Sequence, residues 1–327
     1  MKVLLTGANG FVGSHILDAL VDRGISLVVL LRPAARLEWI RDRLDKVEVR
    51  SGKLTDPAIV QAALAGATHV VHCAGCTKAL NPRDYFEANQ GATRRLVDAI
   101  NTHAPSLDRL VYISSLAASR PATSAAPATE EMASSPVTAY GRSKLAGELE
   151  IRERSRVPFI ILRPAAVYGP RDTDFLNLFK AVRSRVVPVV RRGNQELSLV
   201  YVGDLAESVV VALEHPGNEG GIYHVADPQP VTSRELAGEI ARQLGVRPVF
   251  PPLPRVLLWS ICAGRDLVSR ISGRPHILSR QKYAELVARG WVSGTNRLRQ
   301  DLGFVCRTEL RQGIGRTLDW YRERKWM

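Results

Sequence analysis

Apolar and polar positions along this chain fall into two alternating rhythms. Short apolar runs at Met1–Leu5, Leu27–Leu31, Val47–Arg50, Thr68–His72, Leu110–Ser114 and Phe159–Leu162 read as buried strands. Between them, Ser14–Asp22 and the stretches near 57–65, 84–103 and 138–154 carry helical periodicity. Strand and helix in alternation predict a parallel sheet with right-handed crossovers. From about Ala165 the rhythm loosens, and the prolines of Pro248–Pro254 interrupt it, so a smaller lobe is expected to follow the sheet. Pro121–Pro136, rich in Ala, Ser, Thr and Pro, reads as a loop over a site and not as a domain linker.

The first strand runs directly into Thr6-Gly-Ala-Asn-Gly-Phe-Val-Gly13 and then into the first helical pattern. Strand, glycine turn and helix in that order are the context a dinucleotide fingerprint requires. Gly7 would make the tight turn, Gly10 would let the backbone approach a pyrophosphate, and Gly13 would let helix and strand close up. The helix N-terminus then offers free amides and the positive end of its dipole to phosphates.

A second motif, Tyr140-Gly-Arg-Ser-Lys144, sets a phenol and an ammonium four positions apart, on one helix face. Alone, this spacing occurs in many helices where the Tyr packs and the Lys is merely solvated. Joined to the glycine turn, it resembles the extended short-chain dehydrogenase/reductase family, within the NAD(P)-dependent epimerase/dehydratase superfamily. The branch it is most similar to holds the 3β-hydroxysteroid dehydrogenases and dihydroflavonol reductases. Val70-Val-His-Cys-Ala-Gly75 resembles that family's fourth strand, Leu162-Arg-Pro-Ala-Ala-Val-Tyr-Gly-Pro170 its sixth, and Val200-Tyr-Val-Gly-Asp-Leu-Ala206 a later strand-to-helix joint.

The resemblance runs almost the whole length. It implies an α/β fold, a Rossmann doubly wound parallel sheet with a smaller C-terminal substrate-binding lobe. On that pattern residues 1–164, with 197–214 returning to them, form the NADP-binding domain, and 165–196 with 215–327 form the lobe. A homodimer built on helices such as 84–103 and 138–154 is the family-level expectation.

Reduction of a carbonyl by hydride needs a proton donor at the developing alkoxide, and the reverse oxidation needs a base there. A tyrosine with an ordinary pKa of ~10 is too weak a base at neutral pH unless a positive charge favours its anion. Lys144, one turn from Tyr140, supplies that charge, and the family pattern also has it hydrogen-bond the nicotinamide ribose. Ser115, at the end of the Leu110–Ser114 run, is expected to hold the substrate oxygen, with Ser114 second; a pair of serines capping a turn is the bland reading. The expected cofactor contacts are Gly7, Asn9, Gly10, Phe11, Val12 and Gly13 of the turn, Arg32 and Arg36, and Lys53 and Leu54. Cys73, Ala74 and Gly75, Ile113, Tyr140 and Lys144, and Pro164 and Val167 complete them.

Leu30-Leu-Arg32-Pro-Ala-Ala-Arg36 places two arginines and no carboxylate after the second strand. A guanidinium fork suits a 2′-phosphate, so NADP(H) is expected in preference to NAD(H). Lys53 stands where the family usually carries an Asp that contacts the adenine.

Family members that act on nucleotide sugars hold the diphosphate with an Asn and an Arg, and Ala166 and Leu197 occupy those positions here. A diphosphate would be poorly paired without them. The expected substrate is therefore a small-molecule, largely apolar carbonyl or alcohol of steroid, flavonoid or aryl type. Arg191 and Arg192 stand close enough in sequence to serve a phosphate in another register, which keeps a nucleotide-sugar epimerase or dehydratase with tightly bound NAD(P) as the alternative. A non-catalytic sensor of the NADP state is a further rival, against which Ser115, Tyr140 and Lys144 argue.

With 327 residues, 45% of them hydrophobic, the chain can bury a large core. It has no apolar run of about 18 residues, so no spanning helix is expected, and a strand at residue 1 argues for the cytoplasm. The four cysteines form no disulfide framework, and no metal site is expected. Of the net charge of +13, most sits late in the chain, where Arg247–Met327 holds 16 Lys+Arg against 6 Asp+Glu. No nucleic-acid-binding signature accompanies it, and nucleic acid is not an expected partner. Residues 254–274 interleave apolar groups with Arg255, Arg265, Arg270 and Arg274. That helix is expected to pack on the lobe with snorkelling arginines, with cover for an apolar substrate or peripheral contact with an anionic membrane as alternatives.

Overall fold

A computed structural model describes residues 1–217, 220–273 and 279–327; Arg274 lies outside them. The N-terminal part runs β1 (Lys2–Thr6), α1 (Phe11–Val21), β2 (Ser26–Leu31), β3 (Glu48–Ser51), α2 (Pro57–Leu64) and β4 (His69–His72). It continues with α3 (Pro82–Phe86), α4 (Ala92–His103), β5 (Arg109–Ile113), α5 (Ala139–Arg154) and β6 (Phe159–Pro164). Then come β7 (Ala166–Tyr168), α6 (Thr173–Arg183), β8 (Glu196–Leu197), β9 (Leu199–Tyr201), α7 (Val202–Glu214) and β10 (Gly221–Val225). The remainder is β11 (Val231–Thr232), α8 (Ser233–Leu244), α9 (Arg255–Ser272), α10 (Arg280–Val287), β12 (Gly290–Trp291), α11 (Asn296–Leu302) and α12 (Leu310–Glu323).

Seven parallel strands form the main sheet in the order β10-β6-β5-β4-β1-β2-β3, with helices on both faces. Alternate residues of each strand feed the two cores, as a period of two demands. Val3, Leu5, Val29, Val71 and Val111 meet Ile16, Leu17 and Leu20 of α1 and Leu205 and Val209 of α7. On the other face Leu4, Val28, Val70 and Leu110 meet Val60 of α2, Leu96 and Ile100 of α4 and Ile151 of α5. The chain changes direction of winding between β1 and β4, which opens a crevice beyond their carboxyl ends.

Residues 221–225, assigned to the lobe on sequence, instead supply an edge strand of the main sheet, from Gly221 opposite Ile160 to Val225 opposite Pro164. β10 satisfies the outer edge of β6, which would otherwise present unpaired amides and carbonyls. A third core joins α6, α8 and α12 through Phe179, Val182, Leu236, Ile240, Ile314, Leu318 and Tyr321. It meets the N-terminal half at an aromatic cluster, with ring centroids of Trp39 at 5.5 Å from Trp320 and 5.9 Å from Trp326.

The stretch 84–103, read as one helix, is three segments, because a π-helical turn at Glu87–Gly91 separates α3 from α4. The loop 121–136 is stitched down, not free. Ala122 bridges Trp291, Ala128 bridges Ser293, and the Glu130 carboxylate accepts from the His224 amide at 2.7 Å.

α9 departs from its expected packing. Leu258 and Cys262 are buried, whereas Val256, Leu257, Ile261, Leu267, Val268 and Ile271 are exposed. A helix with apolar groups on more than one side cannot bury them all against a single neighbour. Among the described residues, no helix is long and apolar enough to cross a membrane.

Candidate active site

The site is built where the glycine turn, the end of β4, the end of β5 and the N-terminal half of α5 converge. Gly7 takes φ +76°, and a Cβ there would stand 2.6 Å from the Ala74 amide nitrogen. A Cβ on Gly13 would stand 2.0 Å from the Gly7 carbonyl oxygen, so α1 can sit against the turn only because this residue has no side chain. Gly10 is the exposed N-cap of α1, and the first turn carries no acidic residue. The amides of Phe11, Val12 and Gly13 lack intrahelical acceptors at this position. This cradle fits the pyrophosphate of a dinucleotide in shape and in dipole.

Cys73, Ala74 and Gly75 form the opposite wall of the crevice. Burial pushes the Cys73 thiol up to about 11, and no group of three or more His, Cys, Asp or Glu with metal-ligand geometry occurs among the described residues. Gly75 faces Asn89 and Lys144, whose nearest atoms would lie 2.8 Å and 3.8 Å from a Cβ. Arg32 and Arg36 follow β2 with exposed side chains, and Lys53 beyond β3 is also exposed while Leu54 is half-buried. Pro164 ends β6 at its carboxyl end, and Val167 lies in β7, which pairs β9 outside the main sheet.

Thr138 caps α5 by accepting from the Gly141 amide at 3.0 Å, and the helix then carries Tyr140 and Lys144 inward. The Lys144 ammonium is 4% exposed and donates to the Ile113 carbonyl at 2.6 Å. It also sits 4.3 Å from the centroid of the Tyr112 ring. Burial lowers the Lys144 pKa, opposed by the neighbouring Tyr140. Burial raises that of Tyr140, opposed first by Lys144 and then by a hydrogen bond with the Ser115 hydroxyl. Phenol, ammonium and hydroxyl are therefore one electrostatic unit.

The two serines have parted. Ser114 donates to Oε1 of Glu148, which also accepts from Arg163 Nε at 2.9 Å. With Arg163 Nη2 at 2.6 Å from Glu148 Oε2, this is a forked ion pair in the core, tying α5 to β6. Ser115 faces Tyr140 instead.

Asn89 escaped sequence reasoning. It lies in the π turn, 1% exposed, and donates to the Ser143 hydroxyl at 2.8 Å and the Cys76 carbonyl at 3.0 Å. Its Oδ1 accepts from the Cys76 amide at 2.8 Å. One side chain thus holds the loop after β4 against the helix that presents Lys144. In the sequence its signal is an amide side chain inside the apolar-periodic stretch 84–103.

On the lobe side, Ala166 is exposed and Leu197 half-buried, so neither supplies a polar group. Arg191 and Arg192 take left-handed backbone conformations, φ 52° and 58°. With Arg289, Asn194, Glu196 and Thr123 they line an open cleft of about 500 Å³.

The family described as "NAD dependent epimerase/dehydratase family" matches residues 3–226. The ceramide reductase of Caulobacter vibrioides is 30% identical, covering 99% of this chain and 96% of the relative. The N-acetyl-alpha-D-glucosaminyl-diphospho-ditrans,octacis-undecaprenol 4-epimerase of Escherichia coli O157:H7 is 25% identical, covering 98% and 95%. Among solved structures, gox2253 is similar with a TM-score of 0.82 at 26% identity, covering 100% of this chain and 99% of that one.

Proposed function

The chain belongs to the NAD dependent epimerase/dehydratase family, and on that premise we propose that it is an NADP-dependent reductase interconverting a ketone and a secondary alcohol on a largely apolar substrate. Family and relatives make it an NAD(P)-dependent enzyme of the reductase and epimerase kind. One observation carries the finer reading: the half-buried Tyr140 phenol, hydrogen-bonded to the Ser115 hydroxyl and facing the Lys144 ammonium at the mouth of the crevice.

In this reading the amides after Gly10 hold the pyrophosphate, and Arg32 and Arg36 hold the 2′-phosphate that favours NADP. A nicotinamide held there would supply the hydride. Ser115 donates to the substrate carbonyl and orients it. Tyr140, protonated at neutral pH and raised further by burial, gives its proton to the developing alkoxide. Lys144 offsets the charge left on the phenol. The name of the Caulobacter relative extends the substrate class from steroids, flavonoids and aryl ketones to ketones of long-chain amide lipids. A homodimer through α4 and α5 belongs to the same proposal, and light-scattering mass measures it.

The test is loss of dihydronicotinamide absorbance across steroid, aryl, aliphatic and ceramide-like ketones, with nucleotide sugars in parallel. Oxidation of NADPH with an apolar ketone is expected. Conversion of a nucleotide sugar with no net cofactor change would overturn the reductase reading in favour of an epimerase. The arginine-lined cleft at Arg191, Arg192 and Arg289 is the feature that favours that second reading.

A further inference from the structure

We infer that α9 is an interfacial helix that seats this protein on an anionic lipid bilayer, beside the entrance to the active site. Val256, Leu257, Ile261, Leu267, Val268 and Ile271 project from one side of α9 within an arc of about 140°. Their exposures run from 37% at Ile261 to 79% at Ile271. Isolated exposed aliphatics need no explanation, but six on one helix face form the kind of patch that marks an interaction surface. Trp259, 48% exposed, stands at the border of this face, where an amphipathic ring suits a headgroup layer.

Charge selects the occupant. The exposed side of α9 bears no carboxylate, since the helix's single acid, Asp266, faces α10 and accepts from Arg280 Nε at 3.0 Å. Arg255 and Arg265 on α9 and Arg247 before it are all exposed. The chain from Arg247 to its end holds 16 basic against 6 acidic residues. A second copy would bring the same basic surface against itself, whereas phosphatidylglycerol-type headgroups complement it. At 18 residues the helix is about 27 Å long and suits lying in the interface, not spanning it.

Position gives the contact a use. Glu285 of α10 accepts from the Thr138 hydroxyl at 3.2 Å, two residues before Tyr140. Tyr85, whose ring lies 6.1 Å from that of Tyr140, feels both Glu285 and Asp266. The inner side of the α9–α10 pair thus overlooks the catalytic phenol while the outer side meets the bilayer.

The experiment is co-sedimentation of the full-length protein with vesicles of phosphatidylcholine alone or mixed with phosphatidylglycerol. Binding to the mixed vesicles is expected, with loss at high salt. Leu267→Glu combined with Ile271→Glu should lower the bound fraction about tenfold or more, and Arg247→Glu with Arg265→Glu should lower it on anionic vesicles. Unchanged NADPH fluorescence titrations would show that both variants fold. Wild-type protein left in the supernatant, equal sedimentation of the Leu267/Ile271 variant, or equal binding to phosphatidylcholine alone would overturn the proposal. So would light scattering showing a wild-type dimer that the Leu267/Ile271 variant dissociates, because a second copy would then cover the face.

Discussion

The Lys144 ammonium donates to the Ile113 carbonyl at 2.6 Å, so the last peptide of β5 sets where the positive charge beside Tyr140 stands. Lys144→Met keeps most of the stem and removes the donor. Turnover should fall about 10²-fold or more, with weaker dinucleotide affinity in fluorescence titration. Wild-type kinetics in this variant would separate the ammonium from the chemistry.

Tyr140→Phe removes the proton donor and leaves the ring. Turnover is expected to drop about 10²–10⁴-fold with little change in KM. Because burial raises the phenol above its ordinary range, wild-type reduction should stay flat through neutral pH and decline only above ~10, where the donor loses its proton. A pH–rate profile that declines near neutrality would assign the proton to another group.

Gly13→Ala places a methyl 2.0 Å from the Gly7 carbonyl oxygen, with backbone on both sides and nothing flexible to yield. Overpacking of this kind costs about 1–3 kcal/mol. Isothermal titration should show NADPH affinity reduced roughly 5- to 150-fold.

Arg32→Ala tests cofactor choice. The variant should lose about tenfold or more in kcat/KM with NADPH and little with NADH, since only the phosphate loses a charge-assisted partner. Equal losses with both would place the 2′-phosphate elsewhere.

Asp172 caps α6 by accepting from the Asp174 amide at 2.7 Å, and burial pushes its carboxyl up to about 7. A raised folded-state pKa means that the folded protein binds the extra proton, so stability declines as pH rises from the unfolded value of ~3.8 through 7. Asp172→Asn keeps a capping oxygen without the charge. Its Tm advantage over wild type should therefore grow from pH 5 to pH 8 in thermal melts; an advantage that shrinks over that range would refute the assignment.

Much of the frame was legible because local chemistry forces it. A glycine turn between an apolar strand and a helix admits few folds, and the chain makes the predicted sheet and brings Tyr140, Lys144 and Ser115 together. The bulge carrying Asn89 was hidden, because one extra residue in a helical turn leaves the apolar period of 84–103 almost intact. Arg191, Arg192 and Arg289 meet only through tertiary folding, and no local pattern pairs segments so far apart. Periodicity revealed that α9 is amphipathic but not which side faces out, since an apolar stripe reads the same whether a core or a lipid receives it. The buried Arg163–Glu148 ion pair is likewise tertiary, since no local pattern joins a residue of α5 to one of β6.

The contact of Trp39 with Trp320 and Trp326 joins a residue made early to residues near the end of the chain. Synthesis is vectorial, so the Trp39 side of the nucleotide half stays uncovered in a nascent chain until Trp320 and Trp326 have been made and have left the ribosome. A chain stalled shortly before Trp320 would present a greasy indole to chaperones instead of to α12.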